Sequence, residues 1–147
     1  LSLLPGGMVF GWARPVPVNP HNLRNQTWGP GLVAAIGPFT NILMALVFGL
    51  IIRFSPLLPL ALPAAFFDIA AMVVLLNIVL AVFNLVPIPP LDGSKVLFAF
   101  LSYRFDHIRQ LLEQYGFILL LTFIFFFFQF LRPVIDLLFQ LFTVVEL

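Results

Sequence analysis

Ile69-Ala70-Ala71-Met72-Val73-Val74-Leu75-Leu76-Asn77-Ile78-Val79-Leu80-Ala81-Val82-Phe83-Asn84-Leu85-Val86-Pro87-Ile88-Pro89-Pro90-Leu91, followed by Asp92-Gly93, decides how the rest of the chain is read. The 23 residues from Ile69 to Leu91 carry no charge. A helix needs about 20 apolar residues to cross roughly 30 Å of hydrocarbon, so this stretch is long enough to span a bilayer. Asn77 and Asn84 are seven apart, two helical turns, and share a face. Pro87, Pro89 and Pro90 then break the helix before Asp92, because proline has no N–H and its ring clashes with the preceding turn.

Two more stretches fit the same rule. Leu32 to Ile52 is 21 residues without a charge, and Gln114 to Leu131 is 18. The first contains Pro38, Asn41 and the small residues Ala34, Ala35, Gly37, Ala45 and Gly49, which let helices approach closely. The third carries four consecutive phenylalanines, Phe125 to Phe128, which read as lipid-facing or packing surface. Residues 133–147 are too short to span and are expected to form an interfacial helix. Residues 54–67 contain Pro56, Pro59 and Pro63 and cannot form a regular helix. Residues 1–30 are expected to be an extended loop, since Arg14-Pro15-Val16-Pro17-Val18 disfavours helix before each proline.

Composition agrees with this reading. Of 147 residues, 62% are hydrophobic and 9% charged. Soluble domains run near 45–50% apolar and about 25% charged. A net charge of +1 gives no electrostatic footprint for a phosphate backbone, so nucleic acid is excluded as a partner. The absence of cysteine excludes disulfides, thiolate catalysis and cysteine zinc sites. The expected fold is all-α and integral to a membrane. It has about three transmembrane helices, a proline-broken helix leading into Leu91-Asp92-Gly93, and a short extended N-terminal segment, in a single domain over 1–147. Arg14, Arg24, Lys95, Arg104 and Arg109 fall on one side, and Arg53 and Arg132 on the other. Positive-inside counting puts the richer side, with Asp92, at the cytoplasmic face of a multi-pass protein, and the cell membrane is the expected location. The chain begins at Leu1 with no basic region ahead of a short apolar run, so no signal peptide is expected.

Three segments carry possible chemistry. In Asn84 to Gly93, a carboxylate follows a broken helix at the end of a span. Ionisable groups at membrane depth are costly and default to functional hypotheses. Broken backbone at that depth needs protein or a water-filled cavity around it. The alternative is that Asp92 caps the helix that follows. In Gly37-Pro38-Phe39-Thr40-Asn41, the Asn41 amide either meets a substrate backbone or bonds a neighbouring helix. Asn77 is expected to make an interhelical hydrogen bond. The run Arg14, Pro15, Val16, Pro17 and Val18 offers an edge to which an extended peptide can add as a strand. The alternative is an interfacial loop anchored by Trp12.

Taken in order, these segments resemble the site-2 protease family of intramembrane zinc metalloproteases. The likeness rests on Gly37, Pro38 and Asn41, on Asn84, Pro87, Pro90, Leu91, Asp92 and Gly93, and on the Gly11 to Asn19 run, which is similar to the compact branch without a PDZ domain. The resemblance implies a zinc-dependent endopeptidase acting on membrane-embedded or membrane-proximal peptide bonds, with membrane lipid and a membrane-protein or peptide substrate as its partners. It implies that Asp92 is a zinc ligand and that Asn84 is a catalytic amide facing the scissile carbonyl; Asn41 and the Arg14 to Val18 edge remain the expected substrate-binding residues. It also implies two histidines and a glutamate from an H-E-x-x-H helix. This chain has no such motif: its histidines are His21 and His107, in polar segments without a glutamate at the required spacing. In the family that helix precedes the Gly11 region, so the sequence reads as the C-terminal part of such a protease. It is expected to be incomplete and inactive alone. A competing reading is a non-catalytic membrane scaffold or pseudoprotease that binds client segments.

Overall fold

A computed structural model describes residues 2–3, 9–10, 28–57, 62–101 and 105–144. Near the start, β1 (Ser2–Leu3) and β2 (Val9–Phe10) pair antiparallel, Ser2 opposite Phe10 and Leu3 opposite Val9. The Arg14 to Val18 edge and His21 lie outside the described residues.

Helix α1 (Gly29–Phe54) starts at a proline, Pro30, in its first turn, where the missing N–H has no helical partner to lose. Pro38 lies inside the same helix and is buried. It leaves the Ala34 carbonyl without its usual partner, a cost that neighbouring helices can absorb inside a membrane. The helix ends in a tight turn at Ser55–Leu57, where the Ser55 hydroxyl donates to the Ile52 carbonyl at 2.7 Å. Helix α2 (Ala64–Asn84) follows Pro63 and is extended by neither of its flanking proline clusters. Helix α3 (Asp92–Phe100) is short, and α4 (Asp106–Thr122) continues through a widened π turn (Phe123–Phe127) and a tightened turn (Phe128–Leu131) into α5 (Arg132–Thr143). Among the described residues three helical stretches are long and apolar enough to cross a membrane: Gly29–Leu57, Ala64–Asn84 and Asp106–Thr143.

The helices pack through small residues. Ala70, Val74, Ile78 and Ala81 recur every three or four positions and form the buried stripe of α2. With Ala45 of α1 and Ile135 and Phe139 of α5 they build the core, in which Ala45, Val74 and Ile78 are fully buried. A Cβ at Gly49 would stand 2.8 Å from the Phe142 Cβ, so α5 can close on α1 only because position 49 lacks one. The Arg53 guanidinium donates to the Leu141 carbonyl at 3.0 Å and ties the ends of α1 and α5 together. Helix α5 therefore lies against the C-terminal half of α1 and against α2, with its apolar stripe facing protein. Most large side chains of α4 and the following turns remain exposed, Phe125 to Phe128 among them. In a bilayer this carries no penalty, because lipid tails are as apolar as the side chains themselves. Asn77 donates to the Val73 carbonyl at 2.8 Å. Its hydrogen bond is therefore within its own helix, one turn back, and not between helices as the sequence led us to expect.

Candidate active site

The segment between α2 and α3 is irregular but leaves no donor unused. Leu85 donates to Ala81, Val86 to Phe83, Ile88 to Val86 and Leu91 to Ile88, at 2.8–3.1 Å. Pro87, Pro89 and Pro90 have no N–H to satisfy. The prolines therefore end the helix and reduce the number of backbone donors that the turn must place. Val86, Pro89, Leu91, Gly93 and Ser94 are buried. Gly93 backs against the carbonyls of Leu85 and Val86 with no room for a Cβ, which folds the start of α3 onto the end of α2. The Ser94 hydroxyl adds a bond to the Leu91 carbonyl at 2.7 Å.

This turn sets the position of Asp92. Leu91 is the N-cap of α3, and no side chain caps it. Asp92 is the first helical residue and does not act as the cap. Its carboxylate lies in the first turn, where the helix dipole favours negative charge. Oδ1 pairs with the Lys95 ammonium at 3.2 Å. Oδ2 lies 3.4 Å from the point a Cβ on Gly37 would occupy, so the carboxylate lies directly against α1. Further along, Ala99 and the Lys95 backbone press on Gly31, where a Cβ would meet the Ala99 Cβ at 2.6 Å. Trp28 and Phe100 stack edge to face at 4.8 Å beside the start of α1. Helix α3 thus runs back along the first turns of α1, with Asp92 at its inner end.

Gly37 is eight residues into α1, about 12 Å at 1.5 Å per residue. Asn41 is one turn further on, on the same face, and is half-buried. Asn84, the last residue of α2, is also half-buried. Among the described residues neither amide has a hydrogen-bond partner. One end of the bundle therefore holds a carboxylate with one oxygen unpaired among the described residues, an amide one turn along α1, and a second amide at the end of α2. His107 is exposed in the first turn of α4.

A zinc centre takes three or four protein donors. Among the described residues no three His, Cys, Asp or Glu side chains come together. Among the described residues Asp92 stands in no such group, and Lys95 already engages one of its oxygens. The described residues do not fit a catalytic zinc by themselves. The structure also brings up a neighbour that the sequence did not single out. Gly116 of α4 is buried against Pro89, and a Cβ there would stand 2.6 Å from the Pro89 carbonyl oxygen. The only signal in the sequence is a lone glycine within a helix of large side chains.

Comparison with known proteins bears on this same end of the molecule. Residues 60–127 match the model of peptidase family M50. The chain is 32% identical over 117 residues to a Bacillus subtilis (strain 168) protein named "Putative zinc metalloprotease YwhC", an alignment that covers 77% of this chain and 53% of that protein. The chain therefore spans about half the length of this curated relative. No solved structure matches it.

Proposed function

Given that the chain belongs, through residues 60–127, to peptidase family M50, we propose that it is part of a zinc-dependent endopeptidase that cuts peptide bonds within or beside the membrane. The observation that carries this reading is the seating of Asp92. A carboxylate is held against Gly37, about 12 Å along a membrane-length helix, by a turn whose backbone donors are all satisfied. Placing an ionisable group there is costly, which favours a functional role over a decorative one.

In this reading Asp92 is one zinc ligand, and the remaining donors come from an H-E-x-x-H segment that this sequence does not contain. Bound zinc would supply a water of lowered pKa and polarise the scissile carbonyl. This chain contributes the surroundings. The Asn84 amide supplies a donor for the oxygen that gains charge during attack, where a preorganised donor lowers the barrier. Asn41 meets the substrate backbone, and the Arg14 to Val18 edge takes an extended peptide as an added strand. The protein lies in the cell membrane with Asp92 toward the cytoplasmic face.

The test is made on the product of the complete coding sequence, with zinc per polypeptide and cleavage of a single-span peptide measured together. Asp92→Ala is expected to lose both while the protein still accumulates in the membrane. Asn84→Ala is expected to keep its zinc and lose turnover by about 100-fold, the usual size for one oxyanion donor. Full activity in Asp92→Ala would overturn the ligand assignment. One observation favours a second reading: Asp92 is already paired with Lys95, as it would be in a metal-free scaffold that only binds client segments. A zinc-free complete protein that still retains the peptide would establish that reading instead.

A further inference from the structure

Helix α4 is mostly exposed, yet its few attachments fall around one feature. Gly116 is the one buried residue of α4, all of which lies within the described residues, and it is buried on the Pro89 backbone. Seven residues earlier, the Arg109 guanidinium lies over the Phe98 ring of α3 at 5.2 Å, held from behind by Glu113 at 3.0 Å. Past the π turn, Phe128 meets Phe83 with ring centroids 6.4 Å apart. Phe83 precedes Asn84, Pro89 lies three residues before Asp92, and Phe98 is on the helix that Asp92 begins. The contacts thus bracket the segment from Asn84 to Asp92 at its start, its middle and beyond its end. A helix held only for bulk stability would bury a stripe of side chains, as α2 and α5 do.

We infer that α4 is a strap that sets the position of Asp92, with Gly116 as the positioning residue. The inference deepens the peptidase reading and rests on it for its functional meaning. At Gly116 an added Cβ would stand 2.6 Å from the Pro89 oxygen and 3.1 Å from its carbonyl carbon. These are backbone atoms, and a flexible side chain cannot swing aside to make room. Either α4 lifts away or the turn moves, and Asp92 is three residues down the chain from the point of contact. Gly93 allows little slack on the other side, because it is wedged against Leu85 and Val86. Displacement at Pro89 therefore passes to Asp92.

The chain has no cysteine, so a single introduced thiol reports its own surroundings. Asp92→Cys is made in the 147-residue chain, and its rate of labelling by a water-soluble maleimide is compared with Gly116 intact, with Gly116→Ala and with Gly116→Leu. Leu57→Cys, exposed in the turn that follows α1, is the control. The expected result is a severalfold change at position 92, larger for Leu than for Ala, with the control rate and the helical circular dichroism unchanged. Should Gly116→Leu disturb the control as well, Gly116→Ala is judged by the same criterion. An unchanged rate at position 92 in a folded Gly116 variant overturns the inference. In the complete protein, Gly116→Leu is expected to lower kcat about 100-fold with KM near wild type, as an ångström of misplacement does. If Asp92→Ala keeps its activity while the labelling shift is seen, the peptidase assignment fails and the strap stands. If Asp92→Ala is inactive and the labelling is unmoved, the strap fails and the assignment stands.

Discussion

At 3.2 Å the Lys95 ammonium engages one oxygen of Asp92 and leaves the other facing Gly37. The pair sits partly in the open, with side chains 34% exposed for Asp92 and 55% for Lys95. Where water reaches a pair of this exposure, as peptide hydrolysis at this end requires, it contributes little, because solvent screens it and two side chains must be ordered to make it. Lys95→Ala is therefore expected to shift unfolding by no more than about 1 kcal/mol in a detergent-solubilised thermal or denaturant titration. A loss several times larger would mean that Lys95 holds the turn together. Asp92 and Asn84 stand out in the sequence as candidates, since both sit in a spaced motif, and the structure places both at one end of the bundle. The pairing of Lys95 with Asp92 has only a weak local signal, a spacing of three along a helix that puts the two on one face. Gly116 was not legible, because its meaning lies in Pro89, 27 positions away in the chain, and no local pattern links them.

Runs without charge located the three membrane-length elements, but their ends obey different physics. Helix α4 begins at Asp106 and takes in Arg109 and Glu113, which a count of uncharged residues stops short of. Charged residues at helix ends reach water and pair at i and i+4, as these two do at 3.0 Å, so they extend the helix without belonging to the span. The Arg132-Pro133 step looked like a stop, yet Pro133 lies in the first turn of α5, where proline is welcome. The packing of α5 on α1 was invisible for another reason: it depends on Gly49 meeting Phe142 and on Arg53 reaching the Leu141 carbonyl, and both pairs are far apart in sequence. Within this core Ile78 is fully buried between Ala45, Val74, Ile135 and Phe139. Ile→Ala in a core typically costs about 2–5 kcal/mol, part of it transfer from water and part the cavity. In a bilayer the transfer part largely vanishes, because the unpacked helix already lies in an apolar medium. Ile78→Ala is expected at the low end, about 2 kcal/mol, in a reversible unfolding titration in lipid or micelles. A cost near zero would show that α1, α2 and α5 do not pack through this residue.

Depth and orientation belong to the molecule as a whole. Helix α1 is 26 residues, about 39 Å at 1.5 Å per residue, against roughly 30 Å of hydrocarbon. An upright helix of that length overhangs the hydrocarbon by about 5 Å at each end, and tilt shortens the excess further. Asp92, beside Gly37 and about 12 Å from the start of α1, then lies about 7 Å inside the apolar layer, between its edge and the midplane. The same end gathers the Trp28–Phe100 ring pair, suited to a headgroup belt, and Lys95 and Arg109 of α3 and α4. The opposite end of α1 carries Arg53, whose guanidinium is engaged by the Leu141 carbonyl. Basic residues retained on one side of a membrane during insertion fix its topology, so the end with Lys95 and Arg109 is expected to face the cytoplasm. Phe100→Cys and Leu57→Cys mark the two ends, both at exposed positions. In intact cells an impermeant maleimide should label Leu57→Cys and spare Phe100→Cys, and inverted vesicles should reverse the pattern. Labelling of Phe100→Cys from outside would turn the molecule over. Asp92 would then open toward the exterior, and a cleaved peptide would have to reach it from that side. The orientation therefore decides from which side water and substrate approach the carboxylate.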